Sequence, residues 1–334
     1  MINRLTVAVT PDFRRGASIQ SQILSHTLRL TVRPLLHLWA IAPRTIWPSD
    51  ILETLSVHLP VFPGTTWEPV TLDDCGAEWL AAEAVDSEAA ILYLHGGAFV
   101  CCGLNTHRRL VSRVSAAAQA RVLNLDYRMM PKNTINHAVA DGLAGYRWLL
   151  DAGYSADQIV IAGDSAGGYL AFMTALAALD ADLPRPAAVV AMSPLLDLDP
   201  ANKAAHPNAK RCSVFTLSAL RSLTKLVDHV ETRFAVDGVA PERVSPVDAD
   251  LSRLPPSLIQ VGSHEMLLAD AELMASRLVA AGVPCDLQVW DRQVHVFQAA
   301  ASWVPEAREA IEEIASFVVA ATAQSGDESA PAVG

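Results

Sequence analysis

Ser165 stands in Gly163-Asp164-Ser165-Ala166-Gly167, a G-x-S-x-G pattern between the apolar run 159–162 and an Ala- and Leu-rich stretch reaching Asp180. A serine where a strand ends and a helix begins sits on a sharp turn that exposes its Oγ, and the flanking glycines remove Cβ atoms that would block that turn. The chemistry on offer is nucleophilic attack on a carbonyl. The plainer alternative is a serine-bearing tight turn joining a strand to a helix, so the partners elsewhere in the chain decide.

A serine hydroxyl alone is a poor nucleophile; a base must take its proton and a third group must orient that base. Among the ten histidines, His295 follows the last strand candidate, where the base of a Ser, acid, His chain order lies. His26, His37 and His58 fall in an N-terminal appendage and His206 and His229 in a later insertion. His107 and His137 stand near helix starts, where polar exposure accounts for them. Glu265 follows the run 259–262 and is the chosen acid. Asp270 is five positions later at a helix start that favours a carboxylate anyway. Asp197 and Asp199, after the preceding strand, remain a topologically possible acid, with capping and loop bonding as their ordinary use. Acyl transfer also needs amide donors aimed at the developing oxyanion, each worth roughly 3 kcal/mol. His95-Gly96-Gly97-Ala98 supplies a glycine-rich turn just after a strand candidate; the N–H groups of Gly96, Gly97 and Ala98, with that of Ala166, form the expected hole. His95 itself reads as a loop-ordering hydrogen bonder.

These residues need a frame. Strands are expected at 68–72, 78–82, 90–94, 121–125, 159–163, 187–192, 257–261 and 285–290, and helices at 106–119, 135–152, 165–180, 269–281 and 305–321. Strands alternating with helices of this length indicate an α/β fold, a mostly parallel eight-stranded sheet covered on both faces with an antiparallel start. Apolar residues at helical spacing over 18–41, broken at Pro34, and a short helix near 49–57 make residues 1–66 an appendage. Residues 67–199 and 246–322 form the core. Between them the alternation stops, and a loop with a helix at 217–231 fills 200–245. Both additions are placed to cover the carboxyl ends of the strands, where ligands bind in such sheets. Residues 323–334, ending SGDESAPAVG, read as a disordered tail.

The 334 residues carry a formal net charge of −11 and are 51 % apolar. That argues against a nucleic-acid groove, which needs clustered Lys and Arg. Five cysteines show no disulfide framework and no metal-ligand spacing, which points to reduced thiols and a cytoplasmic protein. No run is long enough and apolar enough to span a bilayer. The first 50 residues hold six Arg against only Asp12 and Asp50, a solvated basic face that also allows weak membrane-surface association. Homodimerisation through an edge strand at 285–290 is a further expectation.

His95-Gly96-Gly97-Ala98, Gly163 to Gly168, Asp126-Tyr127-Arg128-Met129-Met130-Pro131, a late Glu and His295-Val296-Phe297 occur in that order. The chain thereby resembles the hormone-sensitive-lipase-like carboxylesterases of the α/β-hydrolase fold, over roughly residues 67–320. The resemblance implies that 1–66 and 200–245 are a two-part cap and that the acyl chains are short to medium. It also implies that His95, Gly163, Asp164 and Gly167 support the motifs. Ala98 replaces the family's third glycine but keeps its N–H. Glu265-Met266-Leu267 stands where the family has Asp-Pro-Leu. Lys132, Thr134 and Asn136 replace the Glu and prolines that follow Pro131.

The expected protein is therefore a carboxylic ester hydrolase with a Ser165, His295, Glu265 triad and no metal or organic cofactor. An amidase or deacetylase would use the same residues. A non-catalytic receptor for a small ligand could stand on the same scaffold. Leu35, Leu38, Trp39, Phe99 and Phe215 are candidates for the pocket wall.

Overall fold

The runs 90–94, 159–164 and 188–192 have no polar face, so each strand must lie between two apolar layers. The computed structural model describes residues 9–43, 49–83, 85, 87–237, 239–240 and 243–323. Its strands are β1 (Asp12–Arg14), β2 (Thr66–Thr71), β3 (Gly76–Ala81), β4 (Ala90–Leu94), β5 (Arg121–Asp126), β6 (Ile159–Asp164), β7 (Ala188–Met192), β8 (Ser257–Gly262) and β9 (Cys285–Trp290). They form one sheet in the order β1-β9-β8-β7-β6-β4-β5-β3-β2. β2 pairs antiparallel with β3 and β3 antiparallel with β5, and the other neighbours in the sheet are parallel. β4, β6, β7 and β8 are buried along their whole length.

Period-two alternation sends Leu92 and Leu94 to one face of the sheet and Ile91 and Tyr93 to the other. The first face is covered by α5 (Ile135–Asp151), α6 (Ala166–Asp180) and α9 (Leu268–Ala280), through Tyr146, Leu170 and Met274. The second is covered by α4 (Leu104–Ala118) and α10 (Pro305–Ala323), through Val111, Val114, Ile311 and Ile314.

The sheet has nine strands where eight were expected. The addition is β1, three residues without a hydrophobic run, which pairs parallel to β9 from Asp12 opposite Gln288 to Arg14 opposite Trp290. This also corrects the expected dimer through 285–290, because β9 is not the free edge: β1 lies on it. The remaining N-terminal elements are α1 (Ile19–Leu30), α2 (Val32–Ile41) and α3 (Ser49–Ser56). The break falls at Thr31, whose Oγ1 donates to the Thr27 carbonyl, and not at Pro34. Pro34 occupies the first turn of α2, where a missing N–H costs nothing.

The insertion carries α7 (Ala201–Ala205) and α8 (Leu217–Arg233), and α2 packs along α8. Leu28, Val32 and Leu36 join Val214, Leu220 and Met266 in a small separate cluster beside Glu265. Leu35 and Leu38, two of the residues expected at the pocket wall, are both 55 % exposed and stand outside that cluster. Helix α10 runs through Ala323. Ala323, the first residue of the expected tail, is thus helical, and 324–334 lie outside the described residues, as do Arg4 and Arg44. Among the described residues no helix is long and apolar enough to cross a membrane.

Candidate active site

Strand β6 ends at Asp164 and α6 begins at Ala166, so Ser165 has to reverse the chain in one residue, which it does with φ 53° and ψ −118°. A backbone so placed costs an L-residue on the order of 1–3 kcal/mol and persists only where the surroundings enforce it. Here close approach enforces it. A Cβ on Gly167 would lie 1.9 Å from the Leu94 carbonyl oxygen, and one on Gly163 would lie 2.3 Å from that of Gly167. No side chain larger than hydrogen fits either place.

The turn brings Ser165 Oγ to 2.9 Å from His295 Nε2, and His295 Nδ1 lies 2.8 Å from Glu265 Oε2. The three residues come from the carboxyl ends of β6, β9 and β8, 130 and 30 positions apart in sequence. Glu265 is 1 % exposed. Its Oε1 accepts from Gly262 N at 2.6 Å and from Ser193 Oγ at 2.7 Å, leaving Oε2 for the imidazole. From the insertion, Asn208 Nδ2 donates to the carbonyls of Ser263 and Glu265, fixing the acid turn. The Phe215 ring stands edge-on to His295, centroids 4.6 Å apart.

The other carboxylates are committed elsewhere. Asp270 is fully buried, holding Lys203 Nζ on one oxygen and the Leu196 and Asp197 amides on the other. Asp197 accepts from Asp199 N and Asn202 Nδ2. Neither of these aspartates bonds to His295; they bind the loop after β7 together.

The loop after β4 climbs through three consecutive positive φ values, 120° at Gly97, 55° at Ala98 and 62° at Phe99. Gly97 has no alternative, since a Cβ there would meet the Cys101 carbonyl at 1.9 Å. Gly97 and Ala98 are partly exposed and Gly96 is buried. The Gly96 N–H donates to Asp164 Oδ1 at 3.1 Å. This corrects the expectation that Gly96 offers its amide to an oxyanion: that amide is already used to tie the loop to the elbow. The amides of Gly97 and Ala98 remain, with that of Ala166, the first of a helix whose leading N–H groups lack intrahelical acceptors.

His95 is fully buried and donates from Nδ1 to the Gly96 carbonyl at 2.6 Å, stacked on Tyr127 at 4.3 Å. Burial, joined by the like charge of His107, lowers its pKa to about 3, so it stays neutral and carries no second base chemistry. Phe99 is buried edge-on to Tyr169, and Trp39 packs against the main core.

His107 was expected at an exposed helix start and is instead half-buried under the loop, with Nε2 3.4 Å from Asp164 Oδ2. Thr106 Oγ1 gives its own proton to the Gly103 carbonyl, so it accepts from His107 Nδ1 at 3.0 Å. Both ring nitrogens therefore donate, which is the imidazolium form. Burial opposes that charge, but the Asp164 carboxylate outweighs it and raises His107 to about 9. Burial likewise pushes Asp164 up, and His107 with the Tyr93 hydroxyl brings it below its ordinary range. A raised His107 contributes stability that is complete below pH ~6.5 and is lost as pH rises through about 9. The thermal midpoint should accordingly fall by about 2–5 °C more between pH 7 and 10 in the wild type than in His107→Gln. Parallel melting of the two proteins by circular dichroism checks this, and equal slopes would exclude the ion pair.

Sequence reasoning missed Ser193, Asn208 and the role of His107. Each acts on a group more than 50 residues away, and no local pattern marks such a residue.

A family model described as alpha/beta hydrolase fold matches residues 91–299. Esterase LipU of Mycobacterium tuberculosis is 42 % identical over 88 % of this chain and all of its own length. Carboxylesterase/phospholipase LipF of the same organism is 38 % identical over 93 % of this chain and 84 % of its own. The crystal structure of an esterase from the bacterial hormone-sensitive lipase family superposes with a TM-score of 0.79 at 33 % identity, covering 92 % of this chain and all of that one.

Proposed function

Because this chain belongs to the α/β-hydrolase family, and within it to the hormone-sensitive-lipase-like carboxylesterases, we propose that Ser165, His295 and Glu265 perform its ester hydrolysis through an acyl-enzyme on short- to medium-chain esters. The observation that carries this is the unbroken hydrogen-bond chain from Ser165 Oγ through His295 to Glu265, at 2.9 and 2.8 Å.

Ser165 Oγ attacks the ester carbonyl as His295 Nε2 takes its proton. The carbonyl oxygen becomes an oxyanion held by the amides of Gly97, Ala98 and Ala166, each worth about 3 kcal/mol. Glu265 keeps the imidazole proton on Nδ1 before attack and stabilises the imidazolium afterwards. His295 then returns the proton to the departing alkoxide, leaving an ester between Ser165 and the acyl group. Water, activated by the same base, repeats the sequence and releases the acid.

Helices α1 to α3 and the insertion 200–245 form the cap that bounds the acyl group in this reading. Phe215 against His295 supports a narrow acyl channel. Hydrolysis of p-nitrophenyl esters from acetate to hexadecanoate is expected to peak at or below octanoate, with slower turnover of the matched anilides. Rapid mixing should give a burst of nitrophenol when deacylation limits turnover. A maximum at hexadecanoate would overturn the chain-length assignment, and anilides turned over faster than esters would favour an amidase.

A further inference from the structure

Ser193 is the first residue after β7, fully buried, with φ 47° in the left-handed region. A serine gains nothing there over glycine as far as the backbone is concerned, so its hydroxyl needs another explanation. That hydroxyl lies 3.0 Å from the amide of Val296, next to His295, and 2.7 Å from Glu265 Oε1. An amide only donates, so Ser193 Oγ accepts from Val296 and its one proton points to the carboxylate. The same atom thus touches the acid and the loop that carries the base.

We infer that Ser193 is a positioning residue for ester hydrolysis, its hydroxyl locking the Glu265 carboxylate and the His295 loop into one register. This rests on the assignment of Ser165, His295 and Glu265 given above. With Oε1 held by Ser193 and Gly262, the carboxylate cannot rotate, and Oε2 stays on Nδ1 of the imidazole. The Ser193 amide is itself bonded to the Gln260 carbonyl of β8 at 2.6 Å, so the clamp is anchored in the sheet and not in the cap. Without the hydroxyl, Val296 N–H loses a buried acceptor and Glu265 loses a charge-assisted donor, an interaction that favours the ionised carboxylate.

Ser193→Gly separates the two roles the position could have. Glycine suits the left-handed backbone at least as well as serine and deletes the whole side chain, Cβ included, whereas Ser193→Ala deletes the hydroxyl and keeps the Cβ. Both should lower kcat for p-nitrophenyl butyrate by about 10- to 100-fold, with KM within about threefold of wild type. Ser193→Cys, of similar shape and with a weaker donor, should fall between them and the wild type. The second readout is the rate at which a fluorophosphonate labels Ser165, measurable even in slow enzymes. In a Glu265→Gln background the glycine substitution should slow labelling by much less than it does in the wild type, because its effect passes through the carboxylate. Wild-type kcat in Ser193→Gly, or an unchanged factor in the Glu265→Gln background, overturns the inference. Ser165→Ala serves as the control: if it keeps turnover, the active-site assignment fails, whereas an inactive Ser165→Ala beside a fully active Ser193→Gly overturns the Ser193 role alone.

Discussion

Ser165→Ala is expected to lower kcat for p-nitrophenyl butyrate by roughly a millionfold, leaving only the contribution of the oxyanion donors and substrate binding over water. The size follows from what the hydroxyl does: it forms the covalent bond and passes its proton to His295 Nε2 across 2.9 Å. The fold should not respond. Alanine meets the same positive φ as serine, and the carbonyl of residue 165 still accepts from Gly168 and Leu195. Melting within a few degrees of wild type, with turnover gone, is the combined outcome. His295→Ala should cost about as much, and the double substitution little more, because nucleophile and base act as one unit. Turnover within about a hundredfold of wild type in Ser165→Ala would be incompatible with the mechanism.

Glu265→Gln should reduce kcat by about ten-thousandfold while leaving the structure nearly isosteric. The hydrogen bonds already present force the result. Gly262 N and Ser193 Oγ both donate to Oε1, so the amide oxygen of glutamine must take that place. Its NH2 group is then turned toward His295 Nδ1. An NH2 donates, so the imidazole must carry its proton on Nε2, the nitrogen that should accept from Ser165. The base is in the wrong tautomer, and protonated imidazolium loses its counter-charge as well. Glu265→Asp tests reach instead of charge: a shorter carboxylate keeps the ionised group but cannot hold both Oε1 donors and Nδ1 at once. It should retain more activity than the glutamine variant, and kcat/KM for the three proteins measured side by side would establish the order. Full activity in Glu265→Gln would return the acid role to another carboxylate, although Asp270 is occupied by Lys203.

The strand and helix register was legible because the core elements carry their own period: the strand near 90–94 follows from an uninterrupted apolar run, that near 285–290 from apolar residues alternating with Asp286 and Gln288, and the helix starting at Ile135 from apolar residues at helical spacing. β1 was not legible, since three residues, two of them charged, hold their place through pairing with β9 and carry no apolar run. Pro34 misled for the opposite reason: a proline breaks a helix interior but is harmless in a first turn. At the site, the residue types and chain order of Ser165, Glu265 and His295 could be read directly, as could the glycines whose missing side chains the turns require. Gly96 could not be read correctly, because whether its amide faces substrate or Asp164 depends on contacts 68 residues apart. The sequence by itself thus determined the family and its ester-hydrolase class, through motifs whose proposed nucleophile, base and acid stand in an order the fold can bring together. Only the tertiary structure decided which amides are free, which carboxylates are already paired and which serine clamps the acid. Hydrogen bonds are satisfied across the sheet's edge between segments far apart in the chain, and no local pattern records their partners.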